Sequence, residues 1–195
     1  MGVADQIWIL GIIHRKMVYE AIKKRLQGDG EREMSQKAFQ DYYPDHLSHC
    51  YGCGRLNDHG LQIKSYWDGD ETVCTFEPKS YHIAIPGSVY GGLIASLIDC
   101  HCTGSAAAYA YRAEGREMGT EPFFRFVTAS LHVDYLRPTP LGVPLQIRAQ
   151  AKEIKGRKVV VVATVLAQGE LCARGEVVAV RLSIASGEER VASSE

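Results

Sequence analysis

Net charge is nearly absent from this chain: 22 Lys and Arg stand against 23 Asp and Glu in 195 residues, leaving −1 at pH 7. That balance offers no bulk attraction for nucleic acid or an anionic membrane, so an anionic ligand has to be met by a local basic cluster. Long hydrophobic runs are missing too. Ile7 to Ile13 is apolar, but Asp5 precedes it, basic residues follow it, and it is too short to span a bilayer. With no secretory signal, the six cysteines at 50, 53, 74, 100, 102 and 172 read as free thiols in a reducing, cytoplasmic compartment. No internal repeat or low-complexity segment occurs. Cys50-x-x-Cys53 has His46 and His49 nearby but no second ligand pair, and the helix N-terminus in a βαβ setting that redox pairs use is lacking. Those two cysteines therefore read as small buried residues at a turn, with no metal.

What is present suits one domain with a real core: 46% of the residues are apolar. The first 33 residues stand apart. Trp8, Ile9, Ile12, Ile13, Met17, Ala21 and Ile22 fall near helical spacing, with Arg15, Lys16, Lys23, Lys24 and Arg25 between them. One reading is a basic amphipathic surface helix. The other is that Gly28 to Glu33 back-translates to a purine run resembling a ribosome-binding site, which would make Met34 the natural start. We divide the chain into an N-terminal extension over 1–48 (1–33 not natively translated on the second reading), a domain over 49–186 and a polar tail over 187–195.

Within the domain, Leu61 to Trp67 and Thr72 to Phe76 read as strands around the turn Asp68-Gly69-Asp70. Gly91 to about Tyr111 is the long helix, almost free of charge and rich in small side chains, and so expected to be buried nearly all round. Four further strands follow, Phe126 to Arg137, Val143 to Ile154, Arg157 to Ala167 and Leu171 to Ile184. They alternate with period two, as in Val127, Ala129, Leu131, Val133 and Tyr135. The expected class is α+β, an antiparallel sheet wrapped around a long central helix.

One stretch concentrates chemistry. Ile85 to Thr103 places the glycine pair Gly91-Gly92 at the start of the buried helix and Asp99 eight residues after Gly91. The first N–H groups of a helix lack intrahelical partners and sit at its positive end, so they can hold developing negative charge. Two positions on a helix are about 200° apart, so Asp99 and His101 cannot serve one site from one chain. Asp99 shares a face with Ala95, Ser96, Cys102, Thr103 and Ala106, small enough to leave room for a ligand. His101 shares one with Ile94, Leu97, Ile98 and Ala108, which reads as core, and it competes for the catalytic role only by reaching another subunit's site.

The glycine pair and acid-bearing helix, followed by Leu131-His132-Val133-Asp134-Tyr135-Leu136-Arg137-Pro138, Gly142, Gly156-Arg157 and Ala173-Arg174-Gly175, resemble the hotdog-fold acyl-CoA thioesterases of the phenylacetyl-CoA thioesterase type. The segment Cys50-Tyr51-Gly52-Cys53-Gly54, with Asn57 and Gly60-Leu61, is similar to the opening of one branch of that family. The resemblance covers about residues 49 to 184. It implies a hotdog fold, a homodimer or dimer of dimers with sites between subunits, an acyl-CoA substrate, and neither metal nor organic cofactor. It further implies that Gly91 gives the backbone oxyanion donor and that Asp99 of the partner is nucleophile or general base. Gly92, without a side chain, is expected to let substrate approach the backbone. Tyr90 replaces the family's usual histidine as a candidate second donor, and Ala84 replaces a common asparagine.

For the phosphates of CoA, Arg157 and Lys158 at a hairpin and Arg137 at a strand end are the candidate cations, with Thr103 a further candidate contact. Phe123, Phe124 and Phe126 are candidates for an acyl pocket. Two rival functions remain on the residues: a non-catalytic hotdog domain that binds acyl-CoA or another acyl ligand as sensor or carrier, and a hydroxyacyl-thioester dehydratase, for which only His82 or His101 could supply the required histidine.

Overall fold

A computed structural model describes residues 37–182, so the expectations for 1–36, the end of the last strand and the tail over 187–195 lie outside the described residues. The elements are β1 (Tyr66–Asp68), β2 (Glu71–Phe76), a long helix α1 (Gly91–Ala113), β3 (Phe126–Tyr135), β4 (Leu145–Lys155), β5 (Lys158–Ala167) and β6 (Glu170–Arg181). Every strand pairing is antiparallel, in the order β1-β2-β4-β5-β6-β3. This is the hotdog arrangement, α+β with the sheet wrapped on one helix. Among the described residues no helix is long and apolar enough to cross a membrane.

The sheet curves around α1 because alternate strand residues supply a continuous apolar inner face. Leu145, Ile147 and Ala149 of β4, Val159, Val161, Ala163 and Val165 of β5, and Val177 and Ala179 of β6 are buried. They meet Leu97, Ile98, Cys102, Ala106 and Ala107 of α1, all fully enclosed. Each large aliphatic side chain buried in this way contributes roughly 1.5–3 kcal/mol. The helix has no single apolar stripe, as its composition predicts; the exception is a line of half-buried small residues described below.

The expected strand over Leu61 to Trp67 shrinks to three residues. Gln62 adopts a left-handed φ of 50°, which breaks any extended run. The N–H groups of Leu61 and Ile63 donate instead to Tyr51 O and Gly52 O, at 2.8 and 3.0 Å, so the backbone of this segment pairs with the cysteine turn rather than with a strand. Upstream, Phe39 and Gln40 are buried, and the Phe39 N–H donates to Ser65 O at 2.9 Å.

Candidate active site

α1 begins at Gly91 with Tyr90 as its N-cap residue, in extended conformation and without a side-chain cap. Tyr90 O accepts from the N–H groups of Leu93 and Ile94 at 3.0 and 3.3 Å, so the ladder starts there and the N–H groups of Gly91 and Gly92 precede it. The approach to this end is held by Tyr90 N donating to His82 O and Val89 N to Thr139 O, at 2.8 and 2.9 Å. Tyr135, at the far end of β3, donates its hydroxyl to Gly91 O at 2.8 Å and lays its ring beside the Gly91 Cα. Sequence reasoning missed Tyr135 as a neighbour of the helix start, since nothing local reports which strand end reaches a helix 44 residues away.

A Cβ at Gly92 would overlap the edge of the Tyr90 ring, so the bare backbone there is what lets that ring lie over it. Tyr90 itself remains exposed, its ring folded back over the first turn.

Asp99 is half-buried, and Thr128 Oγ1 donates to its Oδ1. Thr128 was not foreseen. It stands where β3 shifts register against β6, between Thr128 and Ser130, and an extra residue in a strand bends it and redirects its side chains. Gly92, Ala95, Ser96, Asp99 and Thr103 form the half-exposed line along the otherwise enclosed helix. Cys102 and Ala106, expected on this open face, are instead fully buried. The hydroxyls of Ser96 and Thr103 bond the helix's own carbonyls, Ser96 to Gly92 O at 2.9 Å and Thr103 to Asp99 O at 3.1 Å. Thr103 thus lies one turn from Asp99, with its hydroxyl already engaged.

Eight helical residues rise about 12 Å. Within one chain the Asp99 carboxylate and the first N–H groups of α1 therefore cannot flank one carbonyl.

His101 lies on the opposite side of α1 and is completely enclosed. Gln40 Nε2 donates to Ser65 Oγ at 3.0 Å, Ser65 Oγ lies 2.9 Å from His101 Nδ1, and Thr72 Oγ1 lies 3.4 Å from Nε2. Thr72 Oγ1 and Ser105 Oγ are 2.6 Å apart, and Ser105 donates to His101 O at 2.7 Å. This order of donors assigns Nδ1 as acceptor and the proton to Nε2. Burial, aided by the charge of Arg148, pushes the His101 pKa down to about 4. The ring is a neutral core group and reaches no surface site. His82, the dehydratase alternative, accepts from Lys79 N–H at 3.0 Å and packs against Phe76 and Tyr81. Burial and then Lys79 lower its pKa.

The candidate cations separate. Register puts Arg157 and Lys158 at the end of the sheet shared with Arg181 and the start of β3, and Arg137 at the other end, beside the turn carrying Glu170. Arg157 lines a cavity of about 470 Å³ together with Arg116, Arg181, Phe123, Phe124 and Glu114, whose carboxylate pairs with Arg181 at 2.9 Å and with Arg116 at 3.4 Å. Lys158 is paired with Glu153 at 3.1 Å and Arg137 with Glu170. Phe124 and Phe126 are core residues, and the guanidinium groups of Arg116 and Arg181 each stack over Phe124 at 4.4 Å.

One metal-ligand grouping appears among the described residues: Cys100 of α1 joins Cys50 and Cys53, all three sulfurs lying within 4.8 Å of one another. Hydrogen bonding from the Cys100 thiol, then from Cys53, holds Cys50 far below the usual thiol range, while the same contacts and burial push Cys100 up.

A hotdog domain with an acid on its central helix and a glycine pair at the helix start defines a class, and comparison with known proteins agrees. The Thioesterase superfamily pattern matches residues 86–174. A thioesterase superfamily protein from Shewanella loihica PV-4 is 49% identical over 72% of this chain and 100% of its own, with a TM-score of 0.55. The chain belongs to the thioesterase superfamily. The PaaI protein of E. coli, from the phenylacetic acid degradation operon, shares the fold at a TM-score of 0.52 and 19% identity, over 63% of this chain and 81% of its own. Acyl-coenzyme A thioesterase THEM4 of Xenopus laevis is 38% identical over 87 residues, 45% of this chain and 33% of its own. The rat THEM4 is 34% identical over 98 residues, 50% of this chain and 36% of its own. The chain spans about a third of the length of these curated relatives.

Proposed function

We propose that the protein hydrolyses an acyl-CoA thioester to the free acid and CoA, in the branch of the family that opens with a C-x-x-C-G segment. The observation that carries this reading is the half-exposed Asp99, oriented by Thr128, on the one open line of a helix whose start presents unladdered N–H groups. Thioester cleavage needs donors for the carbonyl oxygen as it becomes an oxyanion, and a base or nucleophile to deliver water or attack directly. The Gly91 N–H is the donor, Tyr90 a second one at the same end, and Asp99 the nucleophile or general base.

Because about 12 Å of helix rise separates Gly91 from Asp99 along one chain, the site is composite: the helix start comes from one protomer and Asp99 from its partner. β3 supports this assembly. It is the longer of the sheet's two edge strands, and it exposes Val127, Leu131 and Tyr135 beside an open backbone edge that a second copy would pair. The protein is accordingly a homodimer or dimer of dimers acting in the cytoplasm, where its thiols stay reduced. Arg157, the cation of that cavity not paired with Glu114 among the described residues, is the group for the CoA phosphates.

Thiol release from a panel of acyl-CoAs tests the reading, with wild type compared against Asp99→Asn and Asp99→Ala. Turnover that both substitutions abolish is expected. Equal turnover in all three removes Asp99 from the mechanism, tight acyl-CoA binding without turnover in wild type shows a sensor or carrier, and hydration without thiol release shows a dehydratase.

A further inference from the structure

We infer that Cys50, Cys53 and Cys100 form a zinc site that fastens the turn over residues 50–54 to α1, one residue past Asp99. Three sulfurs converge. Cys50 Sγ and Cys100 Sγ stand 3.8 Å apart, and all three lie within 4.8 Å of one another. Thiolates bound to tetrahedral zinc at about 2.3 Å are separated by about 3.8 Å, so the observed spacing needs only small adjustment to accept the ion. A disulfide would use two of these sulfurs and leave the third without a role.

The turn is shaped for this convergence. Gly54 N–H closes it onto Cys50 O at 2.8 Å, and a Cβ on Gly54 would run into the Cys50 backbone. A Cβ on Gly52 would overlap Cys100 Sγ, so a glycine there lets the helix bring its sulfur against the turn. On its other side the turn is anchored by the bonds from Leu61 and Ile63 already described, and by Leu56 N–H to Ser48 O at 3.0 Å. Those bonds hold the turn in place independently of an ion, so two of the ligands are organised before it arrives. Cys53 and Cys100 are buried and Cys50 is half-exposed, which gives the ion an entry path; with three protein ligands its fourth position falls to solvent, where zinc sites that only hold structure ordinarily have a fourth side chain. Three thiolates around Zn²⁺ leave one negative charge. Binding releases the protons that the thiols held.

This site carries no reacting atom. It acts as a clamp on the turn of α1 that bears Asp99, and its readout is metal content, separate from turnover. The test uses the full chain, purified without a polyhistidine tag under a non-thiol reductant, dialysed against metal-free buffer and assayed for zinc by mass spectrometry. About one zinc per chain is expected, with cobalt giving thiolate-to-metal charge-transfer absorption on replacement. Cys50→Ser and Cys100→Ser are expected to lose both signals, while Cys172→Ala, whose sulfur lies away in β6, keeps them. Should a serine variant fail to fold, the wild-type cobalt spectrum decides. Wild type that takes up neither metal with its thiols reduced, a Cys50–Cys100 disulfide as the stable isolated form, or zinc retained in both serine variants would overturn the inference.

Discussion

Asp99 and His101 stand two residues apart on one helix and have opposite surroundings. Asp99 lies on the half-exposed line with Gly92, Ala95, Ser96 and Thr103, and a single hydroxyl, from Thr128, bonds its carboxylate among the described residues. His101 is enclosed and bonded on both ring nitrogens, within a chain of groups running from Gln40 to Ser105. The difference lies in what each neighbour leaves unsatisfied. A polar network with every member paired specifies packing, and a carboxylate with an oxygen to spare on a half-exposed helix face is available to a substrate. Helix geometry enforces the split, since about 200° separates the two side chains.

Loss of the Asp99 carboxylate should change turnover most. Asp99→Asn keeps the shape and the chance of bonding Thr128, yet removes the base or nucleophile, and should lower kcat by about 10²–10⁴ while leaving the thermal midpoint nearly unchanged. Steady-state thiol release alongside calorimetry checks both halves. On the other side, His101→Ala should do the reverse. It leaves a cavity and strips partners from Ser65 and Thr72, and should reduce unfolding free energy by about 3 kcal/mol in denaturant titrations, with the remaining folded protein still active. A drop in kcat comparable to that of Asp99→Asn, in folded His101→Ala, would merge the two faces into one site.

A smaller effect sharpens the same contrast through pH. His101 holds a pKa of about 4 in the fold because burial disfavours the charged ring, against 6.5 in the unfolded chain. The unfolded state therefore binds more protons between those values. This group's contribution to stability is complete above about pH 6.5 and is lost progressively as pH falls toward about 4, a change on the order of 3 kcal/mol. Unfolding curves of wild type and His101→Gln across that window should diverge accordingly; parallel curves would show that the ring is already charged in the fold.

Much of this arrangement is legible in the sequence, and for identifiable reasons. The helix from Gly91 announces itself through twenty residues without a charge run, and the period-two apolar residues of β3 to β6 mark strands whose inner faces cover it. The opposition of Asp99 and His101 follows from helical periodicity alone. What was not legible depends on register and on distant partners. A left-handed Gln62 ends a strand that its composition favours. The shift at Thr128 aims a hydroxyl at Asp99 across 29 residues of sequence. The Tyr90 ring lies over the bare backbone at Gly92. Cys100 reaches the C-x-x-C turn from 50 residues away, and pair-spacing rules for ligands give no weight to a single distant sulfur. Arg137 follows the end of a strand and Arg157 lies in a hairpin turn, but antiparallel pairing sends them to opposite ends of the sheet.

A site that joins Gly91 of one protomer to Asp99 of the other should be restored by complementation between two inactive variants. Gly91→Pro removes the donor N–H at the first helical position, where proline is tolerated and where Tyr90, at ψ 127°, already has the conformation proline requires before it. Loss of one such donor should cost about 10²–10³ in kcat. In a purified mixed dimer of Gly91→Pro with Asp99→Asn, one composite site carries both defects and the other carries none. About half of wild-type turnover per mixed dimer is expected, from two parents that are each nearly inactive. A mixed dimer as inactive as its parents would place both groups in one chain's site and contradict the composite site.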